Sequence, residues 1–328
     1  MVSVGDPTYS IVVPIRDEEQ TLQELHRRLV ALLDELDGAA EVILVDDGSA
    51  DSSYLQMLGI HRSDPRFKVV RLSRNFGHQA AISAGLDLAD GEAVVVMDGD
   101  LQHPPEVVLE MAKLWREGYD VVFGVMGQRT ERWFKRFTAR AFYRLLSRLT
   151  DVHVPPAAGD FRLVDRKALD AFRAMRERNR YIRGMFSWIG YRQIGVPYEC
   201  PPRYAGRSKY TIAKMVKLAL DGIVGFSDLP LQLVLNVGFF ISIVSFLYGI
   251  SAIVTKLAGV YTVPGWATVV VIISFMGGVQ LFVLGVMGEY VARIYDEVRR
   301  RPLYLLGELH GFDEEKIAAL ERGRLAIR

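Results

Sequence analysis

The stretch AVVVMDGDLQHPP, from Ala93 to Pro105, decides the fold of this chain. It starts as a wholly apolar run and ends abruptly at two carboxylates, Asp98 and Asp100, with Gly99 between them. A short apolar run that stops at acidic and small residues is typical of a buried strand opening into a loop. Because two carboxylates in a loop can turn toward one ion, the stretch also indicates a site for Mg²⁺ or Mn²⁺.

The same pattern recurs on both sides of this stretch, with apolar runs that alternate with helical spacing. The other predicted strands of this set are Ser10–Pro14, Glu41–Asp47, Phe67–Ser73 and Val121–Val125. Strands that alternate with helices and are apolar on both faces predict an α/β fold with a mostly parallel sheet covered on both sides. Ligands bind beyond the carboxyl ends of such strands. Polar and small residues follow these ends at Pro14 and Asp17, Asp46 to Ser49, Arg74 to Gly77, and Asp98 to Gln102.

Composition limits the kind of partner and the compartment. The 328 residues carry a net charge of +1, which gives no reason to expect nucleic acid or another polyelectrolyte as partner. Cys200 is the single cysteine, so the chain forms no internal disulfide and fits a reducing compartment. The first ten residues lack a charged segment followed by an apolar one, so we expect the first domain to stay in the cytosol.

Residues 129–150 are rich in basic and aromatic side chains. Arginines recur every four residues from Arg132 to Arg148, beside an aromatic stripe, and Glu131 is the one acid between Arg129 and Arg148. A helix with this pattern fits an anionic lipid surface. An ordinary solvated basic face is the other reading of the same pattern.

Two long stretches, 229–255 and 257–288, contain no charged residue. Each can supply the roughly 20 apolar residues that span a bilayer, so we predict two transmembrane helices. Basic residues flank the pair at Lys214 and Lys217 and again at Arg293, whereas the connecting loop carries only Lys256. This distribution predicts that both termini and the first domain face the cytosol.

The remaining segments complete the predicted organisation. Residues 157–166 are predicted to form an element that enters a helix, and YRQIGVPYEC is predicted to form a strand. The tail after Pro302 is predicted to be helical and peripheral. The predicted domains are 1–210, including the basic helix 129–150 and a basic loop 201–210; a juxtamembrane helix 211–228; a transmembrane hairpin 229–290; and a cytosolic tail 291–328.

The motif DDGS, at Asp46 to Ser49, has two readings. A carboxylate at the end of the second strand can accept a hydrogen bond from a base N–H or a ribose hydroxyl. It can equally be the cap of the following helix, with glycine making the turn.

Taken together, four motifs resemble family 2 glycosyltransferases of the GT-A fold: VVPIRDEE, LVDDGSADSS, RNFGHQAAISAGL and VVMDGDLQHPP. The later motifs GDFRL, RYAGRSKY and GVMGEYVARIYDEVRRRPLY resemble the polyprenyl-phosphate members of that family, which include bacterial prophage-type glucosyl carriers and dolichyl-phosphate mannose synthase. The resemblance implies a Rossmann-like GT-A domain, a nucleotide-sugar donor, a divalent metal, inversion at the anomeric carbon and a polyprenyl phosphate acceptor at the membrane.

The resemblance also implies roles for individual residues. It places Pro14, Asp17, Glu19 and Asp47 at the nucleotide, and Asp98, Asp100 and Gln102 at a Mg²⁺ or Mn²⁺ ion on the diphosphate. Asp160 matches the acidic residue of the GDF motif, cast as a base or a metal-side group. The candidates to grip the acceptor phosphate are Arg129, Arg136, Arg203, Arg207, Ser208 and Lys209.

The acceptor's chemistry tests these roles. A phosphate monoester has a second pKa near 6 and is already largely dianionic at neutral pH, so it needs no strong general base. It needs cations that let one anion approach another, which Arg and Lys supply. We therefore expect Asp160 to orient groups or serve the metal, and the basic loop to select the acceptor.

Two other functions compete with this reading. A processive polysaccharide synthase shares the GT-A core but usually has more spans and a Q-x-x-R-W motif, and the nearest stretch here, RYIRGMFSWIG, lacks the glutamine. A non-catalytic nucleotide-binding scaffold would leave the paired carboxylates and the basic loop without a role. Within the favoured function, UDP-glucose is the expected donor, and GDP-mannose, UDP-N-acetylhexosamine and UDP-aminoarabinose are left open. The resemblance to the family also suggests a homo-oligomer.

Overall fold

The computed structural model describes residues 7–127, 158–178, 180–201, 229–258, 265–313 and 316–318. The predicted basic helix 129–150, the basic loop from residue 202 to residue 210, and the juxtamembrane helix 211–228 lie outside these residues.

Strands and helices alternate through the first part of the described chain. The strands are β1 (Tyr9–Ile15), β2 (Ala40–Asp46), β3 (Phe67–Leu72), β4 (Ala93–Val96), β5 (Val121–Met126), β6 (Ala158–Asp165), β7 (Gln193–Tyr198) and β8 (Leu306–His310). The helices are α1 (Leu22–Glu35), α2 (Ser53–Ser63), α3 (His78–Leu88), α4 (Val107–Arg116), α5 (Arg166–Ala174), α6 (Ile182–Trp188), α7 (Leu229–Leu257) and α8 (Trp266–Val298).

The described strands form one sheet in the order β7-β5-β6-β4-β1-β2-β3-β8. Strands β1 to β4 are mutually parallel, as predicted, and β5 runs parallel to β7. Strand β6 is antiparallel to both β4 and β5. The order 3-2-1-4 reverses direction between β1 and β4, and a crevice for ligands opens beyond the carboxyl ends of strands at such a switch point.

Successive residues of β1 pack into two different apolar layers. Ile11 and Val13 belong to the cluster that includes side chains of α1 and α4, whereas Val12 belongs to the cluster under α3, α5 and α6. Helix α3 lies especially close to the sheet, because a Cβ on Gly85 would collide with the Val12 side chain. This close approach brings the amino end of α3 to the crevice beside β1 and β4.

The C-terminal tail corrects the prediction made from the sequence. Residues 306–310 are not a peripheral helix but strand β8, which pairs antiparallel with β3 at the edge of the sheet. The sequence signal was weak because LGELH is short and half polar. The free edge of β3 supplies backbone groups that stabilise the strand, and no local pattern encodes that partner.

The two apolar helices that precede the tail are α7 and α8. Within the described residues, one stretch, Val271–Val298, is long and apolar enough to cross a membrane by length and composition, and a shorter apolar stretch covers Val234–Tyr248. Large apolar side chains are exposed on both helices, among them Phe239 and Leu281. The two-helix transmembrane hairpin therefore stays a prediction.

Candidate active site

Asp98, two residues after β4, and Asp160, within the first part of β6, both lie within 4 Å of the His78 ring. The antiparallel register pairs Val96 with Arg162, and continuing it by two residues sets Asp98 opposite Asp160. Two carboxylates thus meet at the crevice, although 62 positions separate them in the sequence.

The loop after β4 is held in one conformation by its own residues. The Asp98 backbone N–H donates to Nδ1 of His103 over 2.9 Å, and the His103 ring stacks on Phe161 with the centroids 4.8 Å apart. Asp100 is buried, and its Oδ1 accepts a hydrogen bond of 3.1 Å from the Gln102 backbone N–H. Packing and hydrogen bonds therefore place both carboxylates before any ligand binds.

Backbone strain marks both loops that border the crevice. Leu101 has φ +62° and Asp17, after β1, has φ +49°. Non-glycine residues rarely adopt this left-handed conformation, and such residues persist where the surrounding structure over-determines them, often at functional sites. The strain is consistent with a binding site between these two loops.

Asp98 and Asp100 supply some, but not all, of the ligands that a divalent cation needs. The Asp98 Oδ1 atom is buried and accepts no hydrogen bond from the described part of the chain, and His78 Nε2 lies 3.4 Å from it as an ion-pair partner. The described residues contain no cluster of three or more His, Cys, Asp or Glu side chains that could hold a metal alone. An ion held by Asp98 and Asp100 would therefore need further oxygen ligands from another source, such as a diphosphate.

His78 is a site residue that the sequence interpretation missed. It is the first residue of α3, and its Nε2 lies 3.4 Å from Asp98 Oδ1 and 3.7 Å from Asp160 Oδ2. Burial opposes the charged imidazolium, but the two carboxylates outweigh it and raise the pKa of His78 to about 9. The signal was present in RNFGHQAAISAGL, where a histidine follows the glycine that begins a helix at a strand end.

Arg183, on α6, is the second residue that was missed. Its Nε and Nη2 donate to Oδ1 and Oδ2 of Asp160, each over 3.0 Å. Burial favours the neutral acid, yet Arg183 and His78 hold the pKa of Asp160 well below its ordinary value. Asp160 is therefore a stable carboxylate and a weak proton acceptor, which agrees with an orienting role.

Asp47 binds the backbone at the start of α3. Its carboxylate accepts hydrogen bonds from the N–H groups of Phe76, over 2.7 Å, and Gly77, over 3.0 Å. Burial raises the pKa of Asp47, and these two bonds counteract the rise. Asp47 thus ties the end of β2 to the helix that carries His78, in addition to any contact with a nucleotide.

Asp17 and Glu19 connect the loops after β1 and β2. The Asp17 Oδ1 atom accepts from the Ala50 backbone N–H over 2.8 Å, and the Glu19 carboxylate accepts from the Ser52 hydroxyl over 2.8 Å. Pro14 is buried within β1, opposite Val45 of β2. Four of the predicted nucleotide residues therefore lie at or near the carboxyl ends of β1 and β2, and the fifth, Asp98, follows β4.

The structure brings most of the residues that were predicted to bind the nucleotide or the metal to one end of the sheet. The predicted acceptor residues Arg129, Arg136, Arg203, Arg207, Ser208 and Lys209 lie outside the described residues.

A mostly parallel α/β sheet with paired carboxylates after its fourth strand, beside the switch point, defines the GT-A class of glycosyltransferases. The chain belongs to glycosyl transferase family 2, whose model matches residues 10–173. It is a glycosyltransferase.

Relatives extend this similarity over nearly the whole chain. An uncharacterized glycosyltransferase of Synechocystis, sll0501, is 45% identical over 305 residues, which cover 93% of this chain and 96% of the relative. The SfII prophage-derived bactoprenol glucosyl transferase of Shigella flexneri is 36% identical over 302 residues, covering 92% of this chain and 98% of the relative.

Among solved structures, the chain is similar to glucosyl-3-phosphoglycerate synthase from Mycobacterium tuberculosis in complex with Mn²⁺, UDP-glucose and phosphoglyceric acid. The match has a TM-score of 0.48 and 18% identity, and it covers 66% of this chain and 78% of that one.

Proposed function

We propose that this enzyme transfers a hexose, glucose in the first instance, from UDP-glucose to a polyprenyl phosphate at the cytosolic face of a membrane. The observation that carries the proposal is the 36% identity to a bactoprenol glucosyl transferase over 98% of that protein's length. A match of that extent includes the apolar helices and the tail as well as the sugar-transfer domain.

In this proposal the loops after β1, β2 and β4 bind the donor. Asp17 and Glu19, with Pro14 behind them, border the nucleotide, and Asp47 lies next to the base or ribose. Asp98 and Asp100, with Gln102 beside them, would hold Mg²⁺ or Mn²⁺, which would neutralise the diphosphate leaving group. The position of both carboxylates in the loop after β4, beside the crevice, supports this assignment.

We propose a single inverting displacement. An oxygen of the acceptor phosphate attacks the anomeric carbon, and the bond from that carbon to the donor diphosphate breaks, so that UDP leaves with the bonding electrons. The acceptor phosphate is already anionic at neutral pH and gives up no proton. Asp160, which is kept ionised by Arg183, then orients the site rather than removing a proton.

The acceptor phosphate needs cationic partners. We assign that role to Arg129, Arg136, Arg203, Arg207, Ser208 and Lys209, on the strength of the sequence resemblance. A cluster of this kind offsets the repulsion between the acceptor phosphate and the donor diphosphate.

The pairing of β8 with β3 supports a hairpin with two membrane crossings. Strand β3 precedes the apolar helices in the sequence and β8 follows them, yet both belong to one sheet. If the chain enters the membrane between them, it must cross an even number of times. The charge distribution on the flanks supports a cytosolic position for this sheet and both termini. A homo-oligomer stays a prediction.

The test is a panel of radiolabelled nucleotide sugars incubated with the purified enzyme, undecaprenyl phosphate and Mg²⁺. We expect label from UDP-glucose to enter a single lipid-phosphate sugar. Label in a growing polymer would instead identify a polysaccharide synthase. No turnover of any donor, with nucleotide binding that does not depend on metal, would identify a scaffold.

A further inference from the structure

We infer that strand β8, which follows the second apolar helix, positions the donor-binding loops through Glu308 and Arg71. The inference rests on the proposed function, because it takes the loops after β1 and β2 as the nucleotide site. It assigns to the C-terminal tail a part in donor binding that its distance in the sequence does not suggest.

The contact between the tail and the sheet includes two opposed side chains. Arg71 of β3 lies directly opposite Glu308 of β8 in the antiparallel register, and Arg71 Nη1 is 3.3 Å from Glu308 Oε1. Opposed residues on one face of an antiparallel pair interact, and opposite charges there are favourable. Glu308 therefore restrains the guanidinium of Arg71 from the outer edge of the sheet.

Arg71 connects this edge to the predicted donor loops. Its Nε lies 3.4 Å from Oδ2 of Asp46, a fully buried carboxylate oxygen that accepts no hydrogen bond from the described residues. The other oxygen of Asp46 accepts from the Ser49 backbone N–H over 2.9 Å. The Ser49 hydroxyl in turn accepts from the Asp17 backbone N–H over 3.0 Å. A continuous series of contacts thus runs from Arg71 to the strained residue of the β1 loop.

Tyr54 of α2 holds both partners of the edge contact. The guanidinium of Arg71 stacks over its ring at 4.1 Å, and its hydroxyl donates to Glu308 Oε2 over 2.7 Å. Because Tyr54 is buried beneath this pair, it limits the positions that Arg71 can take. The tail, the helix after β2 and the end of β2 therefore form one unit.

Loss of Glu308 should loosen this unit without unfolding the sheet. Arg71 is partly exposed and can then turn toward solvent, which leaves the buried Asp46 carboxylate less well neutralised and the turn to Ser49 less well fixed. Because Glu308 itself is half exposed, we expect a modest effect, a rise of about 2- to 5-fold in the nucleotide Kd.

The experiment measures binding of UDP and of GDP, each with Mg²⁺, to the full-length enzyme in detergent by titration calorimetry. Glu308→Gln should raise the Kd of whichever nucleotide the wild type binds. Asp313→Asn, which changes an exposed carboxylate of the same tail beyond β8, should leave the Kd unchanged. Equal Kd values for Glu308→Gln and the wild type would overturn the inference.

A double-mutant cycle separates positioning from general damage to the fold. If Glu308 acts through Arg71, adding Glu308→Gln to Arg71→Gln should weaken nucleotide binding no further, whereas additive effects would overturn the inference. Tyr54→Phe, which keeps the ring and removes the hydroxyl, should shift the Kd in the same direction. If the wild type binds neither nucleotide, both the proposed function and this inference are wrong. If the wild type binds a nucleotide and Glu308→Gln binds it equally well, the inference alone is wrong.

Discussion

Arg183 holds Asp160 through two parallel hydrogen bonds of 3.0 Å, and Asp160 in turn lies 3.7 Å from His78. The planar guanidinium matches both carboxylate oxygens at once, so it sets the orientation of Asp160 as well as its charge. Because His78 also lies against Asp98, this pair influences the carboxylate that we assign to the metal.

Arg183→Gln should lower kcat by about 10- to 100-fold, the usual effect of losing a residue that orients a metal-site group. We expect the donor KM to change less, because Arg183 binds Asp160 of β6, whereas we assign the nucleotide to the loops after β1 and β2. Arg183→Lys should recover part of the rate. Steady-state kinetics with separate variation of donor and acceptor measure this.

The matched control for Arg183 is Arg176→Gln, which removes an ion pair to Asp87 outside the site. It should leave kcat within about 2-fold of the wild type, because Arg176 is half exposed and its partner lies outside the site. If both arginine variants lose activity equally, the role assigned to Arg183 is wrong.

Asp98→Ala and Asp100→Ala should each abolish sugar transfer to polyprenyl phosphate. Either change removes a carboxylate oxygen ligand from the proposed metal and leaves the diphosphate charge less neutralised. Asp34→Ala, an exposed change on α1, serves as the control. Full activity of either site variant in the presence of a metal chelator would contradict the metal assignment.

Gly85→Ala should destabilise the folded protein by about 1–3 kcal/mol, since the new methyl group meets the Val12 side chain in a packed layer. Gly59→Ala in α2 is the matched control, because nothing lies within 4 Å of its added Cβ. It should stabilise by about 0.5–1 kcal/mol through helix propensity. Thermal unfolding of both variants measures the contrast, and an equal shift in melting temperature would contradict the close approach of α3 to β1.

The topology can be mapped with single cysteines in a Cys200→Ser background. Tyr261→Cys, in the predicted loop of the hairpin, should react with a membrane-impermeant maleimide added outside the cell. Asp313→Cys should react only after the membrane is opened, because β8 and β3 share a sheet. Labelling of the tail in intact cells would indicate an odd number of crossings and contradict the hairpin.

Arg207→Ala should raise the KM for the lipid phosphate with little change in donor binding, since we assign this residue to the acceptor. Lys256→Ala, beside the predicted external loop, is a suitable control. An unchanged lipid KM for the Arg207 variant would refute the acceptor assignment.

Much of the sheet was predictable because strand signals are local. The predicted runs Ser10–Pro14 and Phe67–Ser73 match β1 and β3 to within one residue at each end. The mostly parallel arrangement followed from the alternation of strands and helices. The antiparallel course of β6 could not be predicted in this way, because the sequence between β5 and β6 shows no comparable alternation of strand and helix patterns.

The sequence by itself determined the parallel core, the paired carboxylates after β4 and the long apolar segments, since each is written in residues within a few positions of one another. Tertiary structure alone decided that His78 and Arg183 converge on Asp160, and that β8 returns to β3, as the pairing of Val70 with Leu309, 239 positions later, shows. Contacts of that kind depend on strand register and on a free sheet edge, which no short window of sequence encodes.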